Sequence, residues 1–319
     1  MMKGSLQINL HFSNHFHYFY NMAEKDITEK NLEALNDVFA DIVNVLLFKG
    51  ERLVQEDELE ADATKSMFKA DGKIHEQERD VSKFWKNGEI RISILGIENQ
   101  TVQDADMPLR VISYDGASYK QQLLDKDDKN KKQKKRYPVA TLVLYFGTDE
   151  KWSKAKRLYD CFEIPEKLKP FVNDYKINVF NIAFLSPKTI AMFKSDFKII
   201  ADYFRTKRLH QKYKGSKEKL QHANETLKMF SALTGDDSFE KVYNEGNFNA
   251  GGVTMCDVVE RIRNDGITEG LNRGILEGKA DVIRKMLDAK ALTAEQIADI
   301  LKLPVAEVQK IARKVSVMG

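Results

Sequence analysis

The chain has 319 residues, with 51 Lys and Arg against 48 Asp and Glu for a net charge of +3, and it is 42% hydrophobic and 31% charged. That length can bury one sizeable core and carry an appendage, and the composition is that of a folded rather than a disordered protein. No run approaches the roughly 18 apolar residues of a membrane span, the N-terminus has no uninterrupted apolar stretch of a signal peptide, and Cys161 and Cys256 stand apart outside any metal-ligand spacing, so the expectation is a soluble protein of the reducing cytoplasm.

In residues 1–24, His11, His15 and His17 are interspersed with Phe12, Phe16, Tyr18, Phe19 and Tyr20 without clear periodicity. This segment reads as a disordered leader, and Met22 opens a more conventional start. Leu35, Val38, Phe39, Ile42, Val43, Leu46 and Leu47 recur at spacings of three and four, which predicts an amphipathic helix over 32–48 stopped by Gly50. Residues 51–75 are polar and read as loop. A short strand is expected over 78–84 and a better one over 90–97, where branched aliphatics alternate. A helix follows over about 108–124, carrying Leu109, Ile112, Tyr119 and Leu123.

Residues 126–136 hold seven Lys and Arg against two Asp, a charge run that solvent ordinarily covers. The near-continuous apolar run 139–146 predicts a buried central strand. A further strand is expected over 177–185, and 187–233 reads as helical throughout. A second basic stretch, 205–219, has seven Lys and Arg against one Glu. Strands alternating with helices give an α/β domain over 25–235, and the turn-rich 236–254 reads as a linker.

In 255–290, Gly266, Gly270, Gly274 and Gly278 recur every four residues in a charged helical stretch. Each glycine costs such a helix about 1 kcal/mol relative to alanine. The spacing keeps the glycines near one face, which fits either a weak helical tether or a surface for self-association. The charge excludes a membrane-dimer reading. Residues 291–319 form a helical hairpin: Thr293 and Gln296 make a capping box, and Pro304 suits the first turn of the second helix. The hairpin has helix-turn-helix character, with Lys310, Arg313 and Lys314 available for phosphates, although such hairpins also occur in proteins that never touch DNA.

The chemistry concentrates in 78–122. Asp80 lies on the first short strand, and Glu98 ends the second, followed by Asn99 and Gln100. A turn around Asn87 and Gly88 would join the strands and set both acids at one end of the sheet. Two close carboxylates repel, and a divalent cation relieves that repulsion. Mg²⁺ takes hard oxygen ligands and keeps waters, leaving room for a phosphate oxygen that it polarises. By residue type alone this is weak evidence, since an Asp and a Glu at strand ends are more often solvated or ion-paired than catalytic.

The segments RDVSKFW (79–85), ISILGIENQ (92–100), MPLRVISYDGASYKQQ (107–122) and YPVATLVLYFGTDEKW (137–152), with DVFADIVNVLLFKG (37–50) as an opening helix, resemble the Rpn family of recombination-promoting nucleases. That family is also described as PD-(D/E)XK transposases. The resemblance implies a PD-(D/E)XK nuclease-like central mixed sheet flanked by helices over 25–235, followed by a helical C-terminal tail. It implies a metal-dependent DNA endonuclease using Mg²⁺, with Mn²⁺ as a substitute. Asp80 and Glu98 then match the superfamily's acids on its second and third core strands, with the Asn99 carbonyl as a further metal ligand and Asp41 as an additional acid. Gln100 takes the place of the usual lysine; it can orient a water or phosphate by hydrogen bonds but brings no charge.

Arg110, Tyr114 and Gln122 on the following helix, with Lys131, Lys132, Lys134, Lys135 and Arg136, are the expected DNA contacts, binding phosphates rather than reading bases. The tyrosines have an alternative role in packing that helix on the sheet. The partners expected are DNA and, through the glycine-spaced tail, a second copy of the chain. A nuclease-fold DNA-binding protein that cuts weakly or not at all is the alternative kept open by the missing lysine.

Overall fold

The computed structural model describes residues 32–61, 65–70, 73–78, 81–97, 103–124, 136–246, 252–289 and 292–315. The leader, Asp80, Glu98, Asn99, Gln100, Lys131, Lys132, Lys134 and Lys135 lie outside them. The chain divides into two compact units, Met1–Val258 and Val259–Gly319.

The opening helix α1 spans Asn36–Leu46 and buries Val38, Phe39, Ile42 and Val43, the stripe read from the sequence. Gly50 follows with φ of +96°, a backbone conformation that favours glycine, and its N–H closes on the Asn44 carbonyl at 2.9 Å. The stretch expected as loop instead holds β1 (Leu59–Ala61), β2 (Lys65–Ala70) and β3 (Lys73–Glu78). β2 and β3 pair antiparallel, with Ala70 opposite Lys73. The single strand expected over 78–84 is likewise two pieces, β3 ending at Glu78 and β4 running Val81–Trp85.

β4 turns into β5 (Ile90–Ile97). A Cβ at Gly88 would lie 2.1 Å from the Trp85 ring, so only glycine lets the turn fold onto that indole. Glu58 braces the same turn by accepting from the Trp85 indole N–H at 2.8 Å and from the Asn87 amide. Helix α2 (Met107–Leu124) crosses over to β6 (Val139–Tyr145), the expected buried strand, and β7 (Asn178–Asn181) completes a sheet of order β1-β4-β5-β6-β7. β4 is antiparallel to β1 and β5, whereas β5, β6 and β7 run parallel. α2 packs Met107, Val111 and Tyr114 against Val143, Tyr145, Trp152 and Ile177. Each such large apolar side chain contributes about 1.5–3 kcal/mol when fully buried.

The last expected strand is shorter than predicted, because a 3-10 turn at Ile182–Phe184 ends it. The expected continuous helix over 187–233 is broken into α3 (Pro187–Ile190), α4 (Phe197–Arg208) and α5 (Ala223–Thr234). His210 and Gly215 have positive φ in the gap, and a Cβ on Gly215 would meet the Met255 carbonyl oxygen at 2.5 Å. The stretch read as a linker contains α6 (Ser238–Asn244), whose Phe239 stacks on Phe230 of α5 at 5.2 Å.

Helix α7 covers Met255–Asp288. In the second unit Ile283 of α7 packs with Ile297 and Ala298 of α8 (Ala294–Leu301) and Val308 of α9 (Val305–Val315). The capping box is present: Thr293 Oγ accepts from the Gln296 N–H at 3.3 Å, and Gln296 Oε1 accepts from the Thr293 N–H at 2.9 Å. Among the described residues no helix is long and apolar enough to cross a membrane.

Candidate functional site

The register Ile97↔Tyr145↔Asn181 sets the carboxyl ends of β5, β6 and β7 on one line across the sheet. The start of the antiparallel β4 lies toward that same end, with Val81 opposite Ile94. Crevices beyond the carboxyl ends of parallel strands are where α/β sheets bind ligands. Asp80 directly precedes Val81 in the chain and Glu98 directly follows Ile97. The two strands carrying the acids therefore meet this end, although the acids themselves lie outside the described residues.

Gln103 holds the rim together. It is buried, and its amide donates to Glu150 Oε1 at 3.0 Å and to the Lys151 carbonyl at 3.2 Å. Its Oε1 accepts from the backbone N–H of Ser153 at 2.6 Å and of Lys154 at 3.2 Å. The chain three residues beyond Gln100 is thus tied to the loop that leaves β6. That loop is tied in turn to the end of β7, where Asn181 Oδ1 accepts from the Trp152 N–H at 2.7 Å. Trp152 packs edge-on against Tyr145 with ring centroids 5.4 Å apart. Nothing in the polar run around Gln103 singles it out in the sequence, because its partners lie about fifty positions away.

The residues expected to bind DNA divide. Arg110, at the start of α2, is half exposed and pairs with Asp104 at 2.9 Å. Burial opposes its charge, but hydrogen bonds to Asp104 and Tyr114 outweigh that and raise its pKa above the ordinary arginine value. Tyr114 is 8% exposed within the α2–β6 core, so packing, the alternative role of the tyrosines, is where the structure places it. Gln122 corrects the expectation more firmly. It is 3% exposed, its Nε2 donates to the Tyr137 carbonyl and its Oε1 accepts from the Tyr137 N–H, both at 3.0 Å. Its amide extends the backbone pairing of the strand approach and is not presented to a ligand. Arg136 is exposed and donates to the Gln122 carbonyl.

Asp41, expected as an additional acid, is 3% exposed. Its Oδ2 accepts from the backbone N–H of Lys194 and of Ser195, both at 2.8 Å, and from the Ser195 hydroxyl at 2.7 Å, while Oδ1 pairs with Arg52. Its oxygens are taken up in joining α1 to the segment before α4. Asp115 is also buried, accepting from Thr141 Oγ1 at 2.6 Å and from the Tyr175 hydroxyl, and so locks α2 to β6. Among the described residues no group of three or more His, Cys, Asp or Glu is placed to hold a metal ion.

Residues 86–234 match the family model described as "Putative transposase, YhgA-like". The resemblance read from the sequence blocks is found again over that stretch, just under half of the chain. It includes Glu98, Asn99, Gln100, Arg110 and the run 126–136, but begins after Asp41 and Asp80. Comparisons with curated proteins and with solved structures returned no match.

Proposed function

We propose that this chain is a Mg²⁺-dependent DNA endonuclease of the PD-(D/E)XK type, acting in the cytoplasm in the recombination or mobility of a genetic element. One observation carries the reading: the strand leading into Glu98-Asn99-Gln100, inside the stretch that matches a transposase family, and the strand just before that stretch, which Asp80 precedes, reach the same end of a mixed sheet, the end where parallel strands finish. The alternation of a hairpin, a crossover helix and a parallel strand also suits the nuclease fold that the resemblance implies.

The proposed ligands, the Asp80 and Glu98 carboxylates and the Asn99 carbonyl, offer only hard oxygen donors, the set Mg²⁺ prefers, with Mn²⁺ as its substitute. When bound, the ion would polarise the scissile phosphate and lower the pKa of a water. Gln100 positions that water or a phosphate oxygen by hydrogen bonds. Arg110, Arg136 and the run containing Lys131, Lys132, Lys134 and Lys135 supply sequence-independent affinity. Asp41, Tyr114 and Gln122 are left out of the site, since their burial and contacts serve the fold.

Helix α7 also supports the expectation of a homodimer. Ile267, Leu271 and Ile275, spaced by four, are 61%, 63% and 46% exposed, and a Cβ on Gly266, Gly270, Gly274 or Gly278 would meet nothing within 4 Å. A second copy of that helix would cover both features, and two active sites suit cleavage of both strands. A DNA-binding protein with the nuclease fold but little cutting is the second reading, favoured by the uncharged Gln100.

The test is nicking or linearisation of supercoiled plasmid with Mg²⁺, with Mn²⁺ and with a chelator, for wild type and Glu98→Ala. Cleavage that needs the ion and Glu98 supports the endonuclease. DNA binding without cleavage under either ion selects the second reading, and Glu98→Ala cutting like wild type removes the site.

A further inference from the structure

A glutamine standing where a lysine would bring positive charge to the phosphate leaves an electrostatic gap in the proposed site. Beside that site, two cations converge on one aromatic ring. Arg208, at the end of α4, places its guanidinium 4.7 Å from the centroid of Phe184, and Lys151 places its ammonium 5.8 Å from the same centroid. Phe184 belongs to the 3-10 turn that directly follows β7, and Lys151 to the loop that leaves β6. Both cations therefore gather on chain emerging from the carboxyl ends aligned with Ile97. Adjacent strands are about 4.8 Å apart, so the end of β7 lies roughly 10 Å across the sheet from the end of β5.

The arginine is held in place without being used up. Its Nε donates to the Ala183 carbonyl at 2.8 Å, which fixes the plane of the guanidinium. Among the described residues neither Arg208 nor Lys151 has a carboxylate within ion-pair distance, although Asp149 and Glu150 adjoin Lys151. Glu150 accepts from Gln103, and Asp149 from the Thr148 hydroxyl. Two cations gathered on one ring, neither with a carboxylate partner among the described residues, can both serve an anion that comes between them. The outer N–H groups of a pinned guanidinium are the fork that phosphate oxygens accept, and an ammonium completes the grip.

We infer that Arg208 and Lys151, gathered on Phe184 beside the carboxyl ends of the parallel strands, form a phosphate-binding site that holds a nucleic-acid backbone phosphate near the one to be cut. The site rests on the proposed function only for the identity of that phosphate. It places at the same end of the sheet a positive charge that Gln100 does not provide.

Two measurements on the full chain test it. Fluorescence anisotropy follows binding of a duplex DNA across a salt series for wild type, Arg208→Gln, Lys151→Gln and the double variant. The melting temperature of each is then read in inorganic phosphate and in chloride at equal ionic strength. The double variant is expected to show a log–log salt slope shallower by about 0.9, for the one phosphate charge no longer neutralised, and to lose any rise in melting temperature that phosphate gives the wild type. Arg208→Lys keeps the charge without the fork, so it should retain the slope and lose affinity; it also keeps the proposal testable if Gln disturbs packing on Phe184. An unchanged slope together with an unchanged phosphate response in the double variant overturns the site, whether or not the chain cuts DNA. A wild type that responds to phosphate through these residues but binds no DNA upholds the site and overturns the nucleic-acid reading. A wild type that responds to neither overturns both.

Discussion

Two sets of charged side chains in the first unit differ in what they touch. On one side, Asp41 is filled by donors from Arg52, Lys194 and Ser195, and Asp196 accepts from the N–H groups of Gln221 and His222 and from the Thr226 hydroxyl. At the carboxyl ends of the parallel strands, by contrast, Arg208 and Lys151 face a ring and keep donors to spare. A buried carboxylate surrounded by fixed N–H groups is part of the scaffold, because losing it strands those donors away from water. A cation pinned without a counter-charge has its capacity left for something outside the chain. What separates the two cases is how far their partners use up their hydrogen-bonding and charge.

The largest effect should fall on the two acids of the proposed site, and it should be on activity alone. Asp80→Ala or Glu98→Ala is expected to abolish Mg²⁺-dependent cleavage while far-ultraviolet circular dichroism stays that of wild type. Gln100→Ala should slow turnover about 10²–10³-fold, the usual cost of one preorganised donor, and so less than loss of either acid. Single-substrate kinetics at saturating Mg²⁺ compare them, and a Gln100→Ala rate equal to wild type would make that side chain a bystander.

The saturated carboxylates should behave in the opposite way. Asp196→Ala leaves three donors without their acceptor, each costing about 1–3 kcal/mol if it stays dry, so urea denaturation should show a loss of several kcal/mol. Asp41→Ala should cost a comparable amount, eased where Arg52 can reach water. Protein that remains folded should cleave at the wild-type rate per molecule. Loss of cleavage by folded Asp41→Ala would return Asp41 to the site and break the contrast between scaffold and site.

The same distinction explains how much is legible in the sequence. Helices with a clean apolar stripe, such as α1, and the apolar strands β5 and β6 follow from local pattern, and the capping box at Thr293 is local as well. The β2–β3 hairpin escapes such a reading because KSMFKA and KIHEQE have no strong alternation, although the two residues between them, Asp71 and Gly72, are a recognised hairpin signal. The break between α4 and α5 is signalled by Gly215 within a polar run that otherwise passes for helix. Gln122 reads as a surface residue because its partner, Tyr137, comes to it only when α2 packs beside the approach to β6. Gln103 carries no local signal, and Arg208 is marked only as one of seven cations in the basic stretch 205–219; what each does is defined by a distant carbonyl or amide.

The second unit offers a weaker version of the same contrast, since α7 presents an apolar stripe that stays exposed. Leu271→Asp should shift the sedimentation of the full chain toward monomer and leave the Ile283–Ile297–Val308 core intact. Identical sedimentation of variant and wild type would mean that the exposed stripe serves as a tether.

Lys83 stands between the two cases and should give the smallest effect. It is a cation on β4 that is only 5% exposed, like the scaffold groups, yet among the described residues no carboxylate pairs with it. Its ammonium donates to Asn36 Oδ1 at 2.5 Å and lies 5.7 Å from the Phe39 ring centroid. Burial pushes its pKa below the ordinary lysine value of 10.5. Below the lowered folded pKa the ammonium is charged in both folded and unfolded chains, and the folded state carries the whole cost of burying it. Between the lowered folded pKa and 10.5 the unfolded chain binds more protons, so stability relative to a non-titrating residue rises with pH across that window. Lys83→Met keeps the apolar stem and removes the charge, at a cost of about 1 kcal/mol for the missing hydrogen bond. The stability of Lys83→Met minus that of wild type should therefore be most favourable below the lowered folded pKa and fall as pH approaches 10.5, because only the wild type gains. Chemical denaturation of both proteins from about pH 7 to pH 11, a range that brackets the ordinary lysine pKa, reads that difference, with other titrating groups largely cancelling. A gap that does not change with pH would mean that Asn36 and Phe39 compensate Lys83 fully, and it would then belong with the saturated groups despite lacking a counter-charge.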